Sequence, residues 1–334
     1  MNPIFIIAEI AQAHEGSLGI AHSYIDALAK TGVNAVKFQT HIAAAESSEF
    51  EQFRVKFSYE DQTRFDYWQR MEFTTEQWAG LKSHCEEKGM EFISSPFSVA
   101  AVELLEQIGV KRYKIGSGEM TNYLMLRKIA ETGKPIILSS GMSDLAELDE
   151  TIAFLKPWNN DLSLLQCTTA YPTLPEQWGL QMIQRFKERY QMPVGFSDHS
   201  ANIYASLAAA TLGAQLLEFH VVFHHELFGP DAKASLTIEQ TKNLVDGVRC
   251  IEKALAADHL KDDVSHFDTL KTLFGKSLTT KRPVKAGETV EFTDLETAKP
   301  GDQGIQAKHF NNILGKTWAT DLPAQHFITE QHIQ

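Results

Sequence analysis

The sequence predicts a closed (β/α)8 barrel, a TIM barrel of the α/β class, followed by a small β-rich domain. Three observations carry this. Short apolar runs with β-branched residues alternate with longer helical patterns, there are eight such runs, and the alternation stops after residue 256. Apolar runs bounded by Gly and Pro read as buried parallel strands. Eight strand–helix repeats is the count of a closed barrel. A doubly wound open sheet would want fewer strands and a glycine-rich loop after the first, and the sequence has neither.

Strands are expected at residues 4–10, 35–40, 91–96, 112–118, 135–141, 162–168, 194–200 and 216–222. Helices are expected at 20–30, 75–88, 99–108, 124–132, 144–155, 178–190, 203–212 and 238–256. Gly32, Gly89, Gly109, Gly133 and Gly213 stand where helices should stop. One connection is long: past Thr40 about thirty residues go by without an expected helix, and 50–72 is charged and aromatic, with Phe53, Phe57, Tyr59, Phe65, Tyr67 and Trp68. Such a connection reads either as a lid or binding loop or as a surface helix against a partner subunit. The barrel is expected to span residues 1–257 and a polar, acidic linker 258–275. The small domain, 276–334, is expected to hold short strands, among them 277–280, 295–299 and 316–319, between Gly/Pro turns.

A chain of 334 residues suits one large domain and one small one. The formal net charge of −12 argues against a general nucleic-acid binder but leaves an anionic substrate open. Cys85, Cys167 and Cys250 are scattered and odd in number, which fits neither a disulfide framework nor a Cys-rich metal site. The first residues carry no basic leader and no membrane span is visible, so a cytoplasmic protein is the expectation.

In a barrel of this kind, functional residues gather where the strands end. Polar residues collect there: Glu9 with His14 and Glu15 beyond it, Lys37 and Gln39, Ser94 and Ser95, Lys114, Ser117 and Glu119, Ser139 and Ser140, Cys167 to Tyr171, Ser197 to His199, and Glu218 with His220. Lysine is rarely buried unpaired. Lys37 and Lys114 on neighbouring strand mouths therefore read as an anion pocket for phosphate or carboxylate, or as structural ion-pair partners of strand-end glutamates. His199 and His220 fall on adjacent strands. They read as ligands of a divalent metal with Glu9 or water, Mn²⁺ or Mg²⁺ suiting two histidines better than Zn²⁺, or as hydrogen-bonded core residues.

Taken together, Ala8-Glu9-Ile10, His14-Glu15-Gly16, Val36-Lys37-Phe38-Gln39, Ser95-Pro96-Phe97, Tyr113-Lys114-Ile115-Gly116-Ser117-Gly118-Glu119, Cys167-Thr168, Tyr171-Pro172, Gly195-Phe196-Ser197-Asp198-His199 and Gly229-Pro230-Asp231 resemble the bacterial sialic acid (N-acetylneuraminate) synthases. That family includes legionaminate, pseudaminate and spore-coat polysaccharide synthases. Lys285-Ala286-Gly287-Glu288 and Lys299-Pro300-Gly301 resemble the small antifreeze-like (SAF) domain that follows their barrel. The resemblance covers nearly the whole chain in the right order.

The resemblance implies roles. His199 and His220 fall on the two metal-binding histidines, with Mn²⁺ the expected ion and Mg²⁺ or Co²⁺ as alternatives. Lys37, Lys114, Ser117, Thr169 and Ser197 fall at the phosphoenolpyruvate site. Gln39, Tyr171, Asp231 and Lys299 fall on amino-sugar contacts, and Glu9 and Glu119 match acidic residues at the reacting centre. A homodimer with the small domain of one chain over the barrel mouth of the other is also implied. Thr169 stands where well-known members commonly have asparagine, and Lys299 where they have an arginine that reaches the sugar's acyl group. Lysine lacks the planar fork of arginine. The implied reaction joins phosphoenolpyruvate to the open-chain aldehyde of an N-acylated hexosamine such as N-acetylmannosamine, with release of phosphate. A phosphosugar synthase on the same barrel would show a further basic cluster. A non-enzymatic carbohydrate-binding protein would account for the loop aromatics but not for the paired lysines and histidines.

Overall fold

The computed structural model describes residues 3–334 apart from 54, 56, 58, 159, 160, 258–260 and 262. The chain divides into two compact units, Met1–Ala257 and Asp258–Gln334. In the first, eight parallel strands lie in sequence order: β1 (Phe5–Glu9), β2 (Ala35–Thr40), β3 (Glu91–Pro96), β4 (Tyr113–Ile115), β5 (Ile136–Ser139), β6 (Leu162–Cys167), β7 (Val194–Asp198) and β8 (Leu216–Val222). β8 pairs back onto β1 and closes the barrel, and a two-residue strand, β9 (Leu236–Thr237), continues beside β8. The helices between them are α1 (Leu18–Leu28), α2 (Ala43–Glu46), α3 (Arg64–Met71), α4 (Thr75–Glu87), α5 (Val99–Ile108), α6 (Tyr123–Ala130), α7 (Leu145–Leu155), α8 (Gln181–Tyr190), α9 (Tyr204–Thr211) and α10 (Ile238–Ala256). Side chains of Ser17, Thr63, Thr74, Ser98, Asn122, Asp144 and Thr237 accept first-turn amides and fix where seven of these helices start. No helix among the described residues is long and apolar enough to cross a membrane.

The alternation of side chains along each strand builds the interior in layers. Ile6, Ala8, Val36, Phe38, Phe92, Leu138, Leu164, Phe196 and Leu217 face the helices and join the large core. Ile7, Ala35, Ile93, Ile137, Leu165 and Leu216 face inward and form a separate apolar cluster inside the barrel. Two residues further along the same strands stand Glu9, Lys37, Ser95, Ser139, Cys167 and Glu218, all buried. A polar layer thus rests on an apolar one.

β7 enters the apolar layer at Gly195. A Cβ there would stand 2.4 Å from the Leu216 carbonyl oxygen and 2.6 Å from Leu165 Cδ2. Gly195→Ala is expected to lower stability by roughly 2–3 kcal/mol, towards the upper end for overpacking. A thermal melt of the variant reads this as a drop of several degrees. An unchanged Tm would mean the strands part to admit a methyl group.

Two expectations are corrected. The long connection after β2 does hold helices: α2 follows directly, and α3 is started by a capping box in which Thr63 and Asp66 bond each other's backbone amides. Tyr67, Trp68, Met71 and Ala43 bury together, with Phe53, Phe57 and Phe65 against them. The stretch read as a linker likewise contains a helix, α11 (Asp268–Phe274).

The second unit packs Leu278, Val284, Val290, Ile305, Ile313, Trp318, Leu322 and Ile328 into its own core. A two-stranded sheet in it is antiparallel, β10 (Ser277–Thr280) with β11 (Leu295–Ala298). In place of the strand expected at 316–319 stand single bridges, Thr317 with Thr289 and Trp318 with Ile333.

Candidate active site

The strand mouths open into a cavity of about 380 Å³. Every expected site residue of the barrel lines it: Glu9, Lys37, Gln39, Lys114, Ser117, Glu119, Thr169, Tyr171, Ser197, His199, His220 and Asp231. Lys299 belongs to the second unit, where its Nζ lies 5.1 Å from the centre of the Phe274 ring. His14 and Glu15 are not among the lining residues. His14 packs on Phe73, and Glu15 is held by Arg70, whose Nη1 donates to its carboxylate at 3.1 Å.

Strand register sets the centre. Glu9 lies opposite Lys37 on β2 and opposite His220 on β8, and Ser197 lies opposite Glu218. Lys37 Nζ stands 3.0 Å from Glu9 Oε1 and 2.9 Å from Glu218 Oε1. Lys114 Nζ reaches the same Glu218 oxygen at 3.2 Å and donates to Ser139 Oγ at 3.0 Å. Gln39 donates to Glu9 at 2.7 Å. The buried Glu218 Oε2 and Ser95 Oγ have no hydrogen-bond partner among the described residues. Both lysines are therefore ion-paired and cavity-lining at once.

The two ammonium groups are unequal. Burial opposes the charge of both. For Lys37 it is outweighed by Glu218 and Glu9, which hold the group above the ordinary lysine range. For Lys114 burial prevails, only partly offset by Glu218, and the group is pushed down. Burial also opposes the Glu9 carboxylate. It is overcome by neighbouring positive charge, and with His220 itself driven towards neutrality by burial, Lys37 and Lys114 are the charges that keep Glu9 ionised. Glu119, by contrast, is raised by burial, against a hydrogen bond from Asn122.

The rings of His199 and His220 lie 5.3 Å apart, and Tyr171 stacks on His199 at 4.2 Å. His199 Nδ1 donates to the Thr168 carbonyl at 3.0 Å, which leaves Nε2 for a ligand. Burial disfavours charge on His199, but Cys167, 3.9 Å away, outweighs it and raises the imidazole to about 9. A cation bound at Nε2 would have to displace that proton. His220 Nε2 is 3.4 Å from Glu9 Oε2. Among the described residues no group of three or more His, Cys, Asp or Glu is arranged to hold a metal ion. Two facing imidazoles could supply at most part of an open divalent site, with water or substrate at the remaining positions.

Several lining residues carry no sequence-based role. Glu218 had a signal, since it stands two residues before His220 on the same inward face. Glu46, Glu51, Arg64 and Trp68 reach the cavity from the long connection rather than from a strand end; the charged and aromatic make-up of 50–72 marked that stretch as a possible binding loop without singling them out.

Comparison with known proteins identifies the architecture. The model of the NeuB family matches residues 24–259. This chain belongs to the NeuB family. An SAF domain match covers 275–334, in agreement with the second unit. Among NeuB-type relatives, the N,N'-diacetyllegionaminic acid synthase of Campylobacter jejuni is 33% identical over 99% of this chain and 100% of its own length. The human N-acetylneuraminate-9-phosphate synthase is 33% identical over 94% of this chain and 88% of its own. The crystal structure of the N-acetylneuraminic acid synthetase of Leptospira borgpetersenii in complex with citrate superposes with a TM-score of 0.71 at 30% identity, covering 81% of this chain and 91% of that one.

Proposed function

We propose that this NeuB-family chain condenses phosphoenolpyruvate with an N-acylated hexosamine of the N-acetylmannosamine type, releasing phosphate and forming a nonulosonate. One observation carries the reading. Lys114 is buried beside a carboxylate oxygen that Lys37 already shares, so it is short of counter-charge in the cavity where two imidazoles face each other. An arriving carboxylate or phosphate supplies that counter-charge.

Lys37, Lys114, Ser117, Thr169 and Ser197 hold the enolpyruvate, and Gln39, Tyr171 and Asp231 orient the sugar. His199 and His220 would hold a divalent cation, Mn²⁺ ahead of Mg²⁺ or Co²⁺, and such an ion would supply Lewis-acid polarisation of the aldehyde oxygen. The C2=C3 electron pair of the enolpyruvate forms the new bond from C3 to the aldehyde carbon, and the aldehyde oxygen takes up a proton. Water adds at C2 and loses a proton. The C2–O bond of the phosphate ester then breaks: phosphate leaves with the bonding pair and takes up the proton of the C2 hydroxyl, whose O–H electron pair becomes the second C2–O bond, and a 2-keto acid remains. Glu119, raised by burial, is suited to deliver the proton to the aldehyde oxygen and, once ionised, to take one back, while Glu9, held strongly ionised, is a weak base and serves to hold Lys37 in place. Phosphate release from phosphoenolpyruvate with a panel of N-acylated hexosamines and Mn²⁺ tests the proposal. No release with any of them would overturn it.

The proposal extends to a cytoplasmic homodimer in which the SAF domain of one chain completes the barrel mouth of its partner. Lys299→Ala and His199→Ala are each expected to be nearly inactive alone with their sugar. After subunit exchange, mixed dimers are expected to recover part of the wild-type rate, since one of their two sites keeps both good halves. Proven exchange without recovery would rule out a shared site.

A further inference from the structure

We propose that His41 is a positioning residue for the sugar half of the reaction: together with Gln12 it fixes the amide of Gln39, so that Gln39 faces the incoming sugar as a hydrogen-bond donor. The inference rests on the sugar-condensing reading above. His41 follows β2 directly and is buried. It is not itself a lining residue of the cavity, yet it touches five side chains that are: Gln12, Gln39, Glu46, Trp68 and Phe97. Its ring stacks on Trp68 at 3.8 Å and on Phe97 at 4.4 Å, each 17° from parallel. Its Nδ1 lies 2.5 Å from Glu46 Oε1. Its Nε2 lies 3.1 Å from Gln12 Nε2 and 3.2 Å from Gln39 Oε1.

The hydrogen positions follow from one end of this chain. An ionised Glu9 only accepts, so the Gln39 atom 2.7 Å from it is the amide nitrogen. The Gln39 carbonyl oxygen is thereby turned to Gln12, whose amide nitrogen donates to it. The second hydrogen of that nitrogen is directed at His41 Nε2. A nitrogen that accepts carries no hydrogen, so the ring proton sits on Nδ1 and is donated to the Glu46 carboxylate. The other tautomer would set two donors against each other at Gln12 and leave two acceptors face to face at Glu46. Donation thus runs from Gln12 both ways, to Gln39 and on to Glu9, and to His41 and on to Glu46. The Gln39 oxygen is occupied inside the wall. Its second amide hydrogen has no acceptor among the described residues, and Gln39 lines the cavity. It therefore offers the sugar an N–H aimed in advance of binding, which spares the cost of ordering the amide on arrival.

The test uses the full chain with Mn²⁺ and three variants. His41→Phe keeps a ring between Trp68 and Phe97 and loses both hydrogen bonds. His41→Gln returns a polar end group towards Gln12, and His41→Asn is long enough only for Glu46. Both KM values are measured with the N-acylated hexosamine that releases phosphate fastest. His41→Phe and His41→Asn are expected to raise the sugar KM about tenfold and to leave that of phosphoenolpyruvate within about threefold, because Lys37 keeps its pairing to Glu9 and Glu218. His41→Gln is expected to recover part of the sugar KM. A wild-type sugar KM in His41→Phe, or an equal rise in both KM values, would reduce His41 to a packing residue. Should His41→Phe fail to fold, equal sugar KM values in His41→Gln and His41→Asn would do the same. A second readout needs no substrate. Nitrogen NMR of histidine-labelled wild type in mildly alkaline solution, with the His41 signals identified by their loss in a variant, is expected to show a protonated Nδ1 and a bare Nε2. A protonated Nε2 would overturn the wiring. If no hexosamine supports phosphate release, the condensing function fails and the sugar role with it, while the NMR result still decides the wiring of Gln39 separately.

Discussion

Alanine in place of His220 or His199 is expected to lower kcat about a thousandfold while the barrel stays folded. Carbonyl polarisation by a bound metal contributes several kcal/mol, and about 4 kcal/mol corresponds to three powers of ten in rate. The folding cost is smaller. His199 gives up a hydrogen bond to Thr168 worth about 1 kcal/mol, and neither ring belongs to the apolar cluster that fills the barrel. Circular dichroism and a melting curve check the fold, and the metal content of the purified variants checks the cause. Chelator is expected to inactivate the wild type and Mn²⁺ to restore it. Full turnover in excess chelator would sink the assignment. Burial keeps the His220 pKa below its ordinary value, so its ligand nitrogen stays unprotonated into mildly acid solution.

Lys114→Ala is expected to raise the KM for phosphoenolpyruvate far more than that for the sugar. Truncating one partner of a buried charge pair costs roughly 2–5 kcal/mol, or about thirty- to several-thousandfold. Lys37→Ala is expected to damage the fold as well, because two buried carboxylates, Glu9 and Glu218, lose a shared partner, whereas Lys114→Ala leaves Glu218 with Lys37. Steady-state kinetics and Tm of the two variants separate these effects. An unchanged phosphoenolpyruvate KM in both would make the lysines purely structural. The pH window follows from the shifts. The folded Lys37 pKa is raised, so its stabilisation is complete below the ordinary lysine value of about 10.4 and is lost as pH rises through the folded value. The folded Glu9 pKa is depressed, so its contribution is complete above about 4.3 and is lost as pH falls through the folded value. Activity lost between these limits comes from other groups.

Much of this was legible in the sequence because a parallel barrel writes its pattern locally. β2, β3, β8 and α10 have the expected bounds, since an apolar run or a long amphipathic stretch is visible within a few residues. β4 is shorter than expected because the chain turns early into Ser117–Glu119, with the Glu119 amide bonded to the Gly116 carbonyl. α3 and α11 were missed although each had a signal: Thr63 three residues before Asp66, and Leu270, Leu273 and Phe274 at helical spacing. The wiring of the site was not legible. Lys37 meets Glu218 across 181 residues of sequence, a contact that only the closure of β8 onto β1 brings about. Arg64 reaches the cavity through a connection whose path no periodicity describes.

The stacked interior of the barrel bears on how such a protein can diverge. The dry layer is built from Ile7, Ile93, Ile137 and Leu165, whereas the cavity is lined by residues one step further up the same strands and by loops beyond them. A lineage can therefore exchange a group such as Arg64 or Glu51 without loosening the dry layer beneath. New acceptor sugars become accessible by changes confined to the rim, while the phosphoenolpyruvate half of the chemistry is inherited intact.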